Sequence, residues 1–294
     1  MAAEQAKVQY AEVLIKVEEA VCHSLMGEVY TTPKPGLVDQ NDTGAHMDMD
    51  INTFALSTRA ISPYILQMFY CGYLSEKEPE EVFKEIRQIG ICAEAAMFRA
   101  TDGVNTHKGI LFTMGILAAA TGICVRKTGN FDLERISGLC SKMTKRQLTL
   151  ELQEIEKKQP VSHGEKLYQS YGEAGIRGEA MRGFPVLMEL AYPCLKYYRK
   201  LGYNHNLSNI NVLLHVMTAL NDTNILSRGT EENLEWIKEQ ASKILQEGGA
   251  FSAQGYQMIQ RMNEACVEKN LSPGGAADML AAALFLYEME KVFA

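Results

Sequence analysis

Apolar residues recur at helical spacing along most of the chain. Val8, Ala11, Ile15, Cys22 and Leu25 place one apolar face on a first helix, and Val82, Ile86, Ile89 and Ala93 do the same on a later one. The run from Ile110 to Val125 is apolar almost throughout, broken only by Thr113, Gly115, Thr121 and Gly122. It is shorter than a bilayer-spanning helix and reads as a buried helix. Ser75 with Glu78 and Pro79, and Thr144 with Gln147, read as capping boxes, while Asn130 and Ser208 read as N-caps. Gly248-Gly249 ends the helix that carries Trp236, Ile237 and Ile244. No series of short β-branched strands and no βαβ alternation interrupts this pattern. The pattern predicts an all-α fold, a single compact domain over residues 1–294, with about ten helices and the functional site built from the loops between them.

Composition narrows the function classes. With 294 residues, 47% of them hydrophobic and 22% charged, the chain can bury a large core. A net charge of -7 gives no general attraction to nucleic acid or to an anionic membrane. A phosphate-rich ligand therefore needs a local cluster of cations, helped by a metal ion. The seven cysteines are scattered and no two have CxxC spacing, which argues against a disulfide framework or a zinc ribbon. The segment MAAEQAKVQYAEVL has no signal-type apolar core. Together these features predict a reduced, cytoplasmic location. The polar stretch from Ser141 to Glu165 predicts a solvated helix followed by a loop.

Five segments rich in Gly, Pro and charge break the helical pattern. In the first, Pro33 and Pro35 fix φ on either side of Lys34, and Gly36 lets the chain turn sharply. That arrangement holds an ammonium for phosphate contact, or simply makes a stiff loop with a solvated lysine. His46, Asp48 and Asp50 follow as an oxygen-rich group suited to Mg²⁺, or as a cap for the next helix, with Asp50 the better cap. In the second segment, Asn105, Thr106, His107 and Lys108 stand between a helix ending near Gly103 and one beginning near Gly109, with Glu94 one turn or more before. Free N–H groups and the helix dipole favour an anion there, although the Walker spacing is missing. A capping or packing role for His107 is the alternative.

The third segment carries Arg177, Glu179 and Arg182 among three glycines, ahead of Pro185. The fourth holds Asp222 and Asn224, followed by Arg228, and the fifth holds Ser272, Pro273, Gly274, Gly275 and Asp278. Ser272 and Pro273 suit the N-cap and first position of a helix, and the glycines permit close backbone approach to a ligand. Four of these segments each bring a cation (Lys34, Lys108, Arg177, Arg228), and Asp48, Glu94, Asp222 and Asp278 are available for metal or base. If they converge, the site binds a polyphosphate with Mg²⁺.

The stretches EVYTTPKPGLVD, GAHMDMD, GVNTHKG, GIRGEA, NDTN and LSPGGAADMLA occur in order from Glu28 to Leu286. Together they resemble the triphosphoribosyl-dephospho-CoA synthase family. One departure is Thr230 after Arg228-Gly229, where the family pattern leads one to expect a second glycine. The resemblance implies a cytoplasmic transferase that moves the 5-triphosphoribosyl group of ATP to the 2′-hydroxyl of 3′-dephospho-CoA and releases adenine. It further implies that the product is the prosthetic-group precursor of citrate lyase or malonate decarboxylase, and that a separate acyl-carrier-protein nucleotidyltransferase takes it up. Neither nucleic acid nor membrane is expected as a partner. For this chemistry Asp48, Asp222 and Asp278 are candidates for Mg²⁺ or base, with Glu94 as a further catalytic acid. His107 or His46 is the candidate donor to the leaving adenine. Lys34, Gly36, His46, Asn105, Thr106, Lys108, Arg177, Glu179, Asn224, Arg228, Ser272, Gly274 and Gly275 are the candidate substrate contacts. The alternatives are an ATP-dependent transferase with another acceptor, and a non-catalytic helical nucleotide-binding protein.

Overall fold

The computed structural model describes residues 2–157, 159–160 and 163–294, without the side chains of residues 2–11, 163 and 171. Among the described residues there are thirteen α-helices and no strand. In order these are α1 (Ala2–Val29), α2 (Ile51–Leu74), α3 (Pro79–Ala100), α4 (Lys108–Thr128), α5 (Leu133–Ile155), α6 (His163–Tyr171) and α7 (Gly175–Met181). A π-helical turn, Val186–Ala191, leads into α8 (Tyr192–Lys200). Then come α9 (His205–Ala219), α10 (Thr223–Arg228), α11 (Glu231–Gln246), α12 (Ala253–Glu268) and α13 (Gly274–Phe293), with a 3₁₀ turn at Gly249–Phe251. The all-α expectation holds. The extra helices arise because α7 and α10 form from GIRGEAM and TNILSR, segments whose glycine and polar content reads as loop until neighbouring helices support them.

Helix α4 is the centre of the molecule, buried at every position from Thr113 to Val125, with α2, α3, α5 and α13 packed around it. It is the one helix among the described residues long and apolar enough to cross a membrane, yet 83% of its apolar window lies inside the fold. Helices α2 and α4 run side by side in the same direction and touch backbone to backbone. A Cβ at Gly72 would lie 2.0 Å from the Ala119 carbonyl oxygen, and one at Gly122 would lie 2.4 Å from that of Phe69. This contact brings the first turns of the two helices together, which matters for the site below.

Helix α1 packs on α2 and α13. Its buried face is Val17, Val21, Leu25 and Val29, so Leu25 falls where periodicity places it but Ile15 is exposed and Cys22 only half-buried. Val8 and Ala11 lie outside the described side chains. On α3, Val82, Ile86 and Ala93 are buried as expected, with Ile89 packed against the core.

Several caps differ from expectation because a tertiary partner, or an earlier polar residue, takes the position. Asp50 caps α2 with a full capping box through Thr53. Ser75 instead closes α2, and Glu78 precedes Pro79 at the start of α3 with no side-chain cap. Thr144 lies inside α5, its hydroxyl donating to the carbonyls of Cys140 and Ala180. Asp132 and Asn204, not Asn130 and Ser208, cap α5 and α9. The polar stretch after Ser141 continues α5 as a helix to Ile155. Helix α11 ends at the glycine pair, where Gly248 and Gly249 both take positive φ.

Candidate active site

The end of α1, the loop from Thr31 to Asp50, the turn before α4, helix α10 and the start of α13 enclose one cavity of about 410 Å³. The loop after α1 is anchored at both ends. The Asn206 side chain grips Thr32 twice, accepting from its N–H at 2.9 Å and donating to its carbonyl at 2.5 Å. Gly36, at φ +71°, presses against Leu271, where a Cβ would sit 2.2 Å from the carbonyl oxygen, and its N–H donates to Asn263. Gly36 shapes the loop and does not line the cavity.

Lys34 faces the cavity but is only 1% exposed, unlike the solvated lysine that composition alone suggests. Its ammonium donates to the carboxylate of Glu28 and, at 2.9 Å, to the Glu28 carbonyl. Burial raises the Glu28 carboxyl against the pull of Lys34. Glu28 lines the cavity too, and sequence reading did not assign it a role. It lies on the buried face of α1, which also carries Ser24, so its place in the sequence gives no local signal.

His46 and Arg228 also line the cavity. The His46 Nδ1 accepts from the Arg228 guanidinium at 3.2 Å, so its Nε2–H donates to Ser272 at 2.9 Å. Burial and the Arg228 charge hold this imidazole below its ordinary pKa, against the weaker influence of Asp48. Both ring nitrogens of His46 are therefore engaged. Arg228 also donates to the Ala45 carbonyl, which fixes the loop to α10. Asp48 stands beside them with its side chain 63% exposed, at the cavity mouth. Ser272 serves His46 and is not the N-cap expected for α13; that helix begins after Pro273 with no side-chain cap of its own.

The cap comes instead from another segment. Asp222 accepts from Asn224 N–H with Oδ1 and from Ala276 N–H with Oδ2, joining the starts of α10 and α13. Gly275 is required by this packing, since a Cβ there would lie 2.8 Å from Asp222 Oδ1. Neither Asp222 nor Gly275 lines the cavity, so the metal or base role expected for Asp222 gives way to a double cap. Asn224 and Gly274 do line it.

Asp278 lines the cavity beside Gly109, where a Cβ would come within 2.1 Å of its Oδ2. Its carboxylate has no hydrogen-bond partner among the described residues. Burial pushes its carboxyl well above the usual range, and the neighbouring charges of Glu28 and Asp222 push it further. Asn105, Thr106, His107 and Lys108, just before Gly109 at the start of α4, also line the cavity. Lys108 is exposed and pairs with Glu94 at 2.6 Å. Glu94 does not reach the cavity and acts on it only through Lys108.

His107 is 4% exposed, with Phe54 edge-on to its ring at 4.9 Å. Its Nδ1 lies 2.6 Å from the Ser57 hydroxyl, which also accepts from Thr106 at 2.7 Å. Burial, then the Lys34 charge, holds the imidazole neutral, with its pKa down at about 3. Sequence reading left Ser57 and Phe54 without a role, and a serine on an apolar helix face gives little signal. The third segment stands apart. Arg177 and Glu179 lie on α7 and do not line the cavity, and Glu179 accepts from Arg182 at 2.8 Å and from Val186 N–H at 3.1 Å.

A cavity lined by both cations and carboxylates agrees with the comparisons to known proteins. The family model for ATP:dephospho-CoA triphosphoribosyl transferase matches residues 15–294. The chain belongs to this family. Among its relatives, the probable 2-(5″-triphosphoribosyl)-3′-dephosphocoenzyme-A synthase of Vibrio cholerae is 38% identical over 272 residues, covering 92% of this chain and 87% of the relative. The synthase of Escherichia fergusonii is 37% identical over 280 residues, covering 94% and 91%. That of Klebsiella pneumoniae is 35% identical over 274 residues, covering 92% and 90%. No solved structure matches the chain.

For this triphosphoribosyl transferase, the donor set can be tested against Mg²⁺. Among the described residues no three His, Cys, Asp or Glu side chains converge to cage a cation unaided. Mg²⁺ characteristically takes one or two carboxylates and completes its shell with water and substrate phosphate. Asp278, without a hydrogen-bond donor and crowded by two other acids, has the unmet need for positive charge that such a site requires. The residues fit.

Proposed function

We propose that this transferase moves the 5-triphosphoribosyl group of ATP to the 2′-hydroxyl of 3′-dephospho-CoA, releasing adenine. The observation that carries this reading is the single cavity that Lys108, Arg228, Asp48 and Asp278 share. Lys108, at a helix start with its backbone donors, and Arg228 bind and orient the triphosphate. Binding energy far from the reacting carbon then places the ribose. Asp278 and Asp48 would hold Mg²⁺ together with phosphate oxygens, and the ion supplies charge neutralisation of the triphosphate. A cavity carboxylate takes the acceptor proton and faces the positive charge that develops at the anomeric carbon.

The product serves as prosthetic-group precursor for a citrate lyase or malonate decarboxylase and passes to a separate acyl-carrier-protein nucleotidyltransferase. The seven free cysteines favour work in a reducing, cytoplasmic setting. The test is mass analysis after incubation with ATP, Mg²⁺ and dephospho-CoA. Free adenine and an acceptor heavier by one triphosphoribosyl unit are expected, and ADP or AMP as the only nucleotide product overturns the reading.

A further inference from the structure

The reaction must break a C–N bond to a poor leaving group, and the cavity holds an imidazole suited to help. Of the two histidines on its walls, His46 has both nitrogens engaged, whereas His107 Nε2 is buried with no partner among the described residues. The hydroxyls of Thr106 and Ser57 run in series toward the other nitrogen. Thr106 donates to the Ser57 oxygen, which leaves the Ser57 proton free to be given to His107 Nδ1, 2.6 Å away. An Nδ1 that accepts leaves the proton of a neutral imidazole on Nε2. Phe54 packs edge-on against the His107 ring, and Leu37, Val38, Met49 and Ile110 add apolar surface to the cavity lining, which suits a flat base.

We propose that Ser57, held by Thr106, is a positioning residue that locks His107 as a neutral Nε2–H donor to a ring nitrogen of the departing purine. The idea rests on the transferase reading above. In the step itself, the C1′–N9 electron pair goes to the purine and the acceptor oxygen forms the new bond to C1′. The acceptor's proton ends on the released adenine, and His107 keeps its own. The imidazole stabilises the leaving group without titrating, which its low basicity suits.

Two measurements test this. The first needs no substrate: ¹⁵N NMR of the histidine rings in the intact protein. His107 should show a pyridine-like Nδ1 and a pyrrole-like Nε2 from pH 5 to pH 8, and Ser57→Ala should blur that distinction. A His107 protonated on Nδ1 in the wild type overturns the proposal. The second compares ATP with a triphosphoribosyl donor whose aglycone is 4-nitrophenol, which departs as a stable anion. Wild-type release of adenine from ATP is measured first, since its failure sinks the transferase reading and not this one alone. His107→Ala should lower kcat with ATP about a hundredfold, and Ser57→Ala about tenfold, with little change in KM. Both variants should stay within about threefold of wild type on the nitrophenyl donor. His107→Gln, which keeps a donor near Nε2, should recover part of the loss on ATP. Equal losses on both donors, or a Ser57→Ala enzyme with wild-type kcat on ATP, overturn it.

Discussion

Replacing Asp278 by Asn should inactivate the enzyme and stabilise its fold. Asp278 makes no hydrogen bond among the described residues, so the substitution removes none of the roughly 0.5–1.5 kcal/mol that such a bond contributes. What it removes is a half-buried charge beside Glu28 and Asp222. Relief of that kind is worth about 0.5–2 kcal/mol. For a chain of this size it corresponds to roughly 1–8 °C in Tm. The sign follows from proton affinity. A carboxyl whose folded pKa is raised binds its proton more tightly when folded, so its cost appears as pH climbs above the ordinary value of 3.8 and levels off above the raised one. The advantage of Asp278→Asn should therefore grow as pH rises above about 3.8 and vanish below it, where both states of the wild type are protonated. Differential scanning fluorimetry with chelator, from pH 3 to pH 8, is the assay. Adding Mg²⁺ and ATP should raise the wild-type Tm more than the variant's, because ligand that needs the charge stabilises only the chain that carries it. Turnover should fall by at least about a hundredfold. A variant less stable than wild type at pH 7 would mean that the carboxylate is already compensated, and the argument for a cation there would fail.

Other substitutions separate packing from chemistry. Lys34→Met leaves Glu28 buried without its ion-pair partner and should cost about 3–5 kcal/mol in chemical denaturation, with much of the loss restored by adding Glu28→Gln. Lys108→Ala should barely move the melting temperature, since its ion pair with Glu94 is exposed. It should weaken kcat/KM for ATP by a factor matching roughly 1.5–3 kcal/mol; a melting defect with normal kinetics would mark Lys108 as structural. Gly109→Ala should abolish turnover in a folded protein, because its methyl would occupy the place of Asp278 Oδ2; normal activity in that variant would show that Asp278 can move without consequence. In the Asp48→Asn, Asp278→Asn pair the double variant should lose far less than the product of the single losses, and full additivity in steady-state kinetics would separate the two acids functionally.

Much of this was legible in the sequence because it is local. The apolar run to Val125 reads as a buried helix, and the segments carrying Lys34, His46, Lys108, Arg228 and Asp278 stand out by their glycine, proline and charge. Non-local features were not legible. Asp222 reads as one more acid in NDTN, yet its cap on α13 joins residues 54 positions apart. Glu28 and Ser57 sit on helix faces where a polar residue signals nothing until a lysine or histidine arrives from elsewhere in the chain. The arginine and glutamate of GIRGE promised phosphate contact by composition, but α7 packs on α5, away from the cavity wall.

Helices α1 and α13 pack along one another, and each supplies an acid to the same cavity: Glu28 from one, Asp278 from the other. Because α13 also packs on α4 and α9, the docking that covers the core is the same one that brings Asp278 to the cavity, so completing the fold and completing the acid pair are one event.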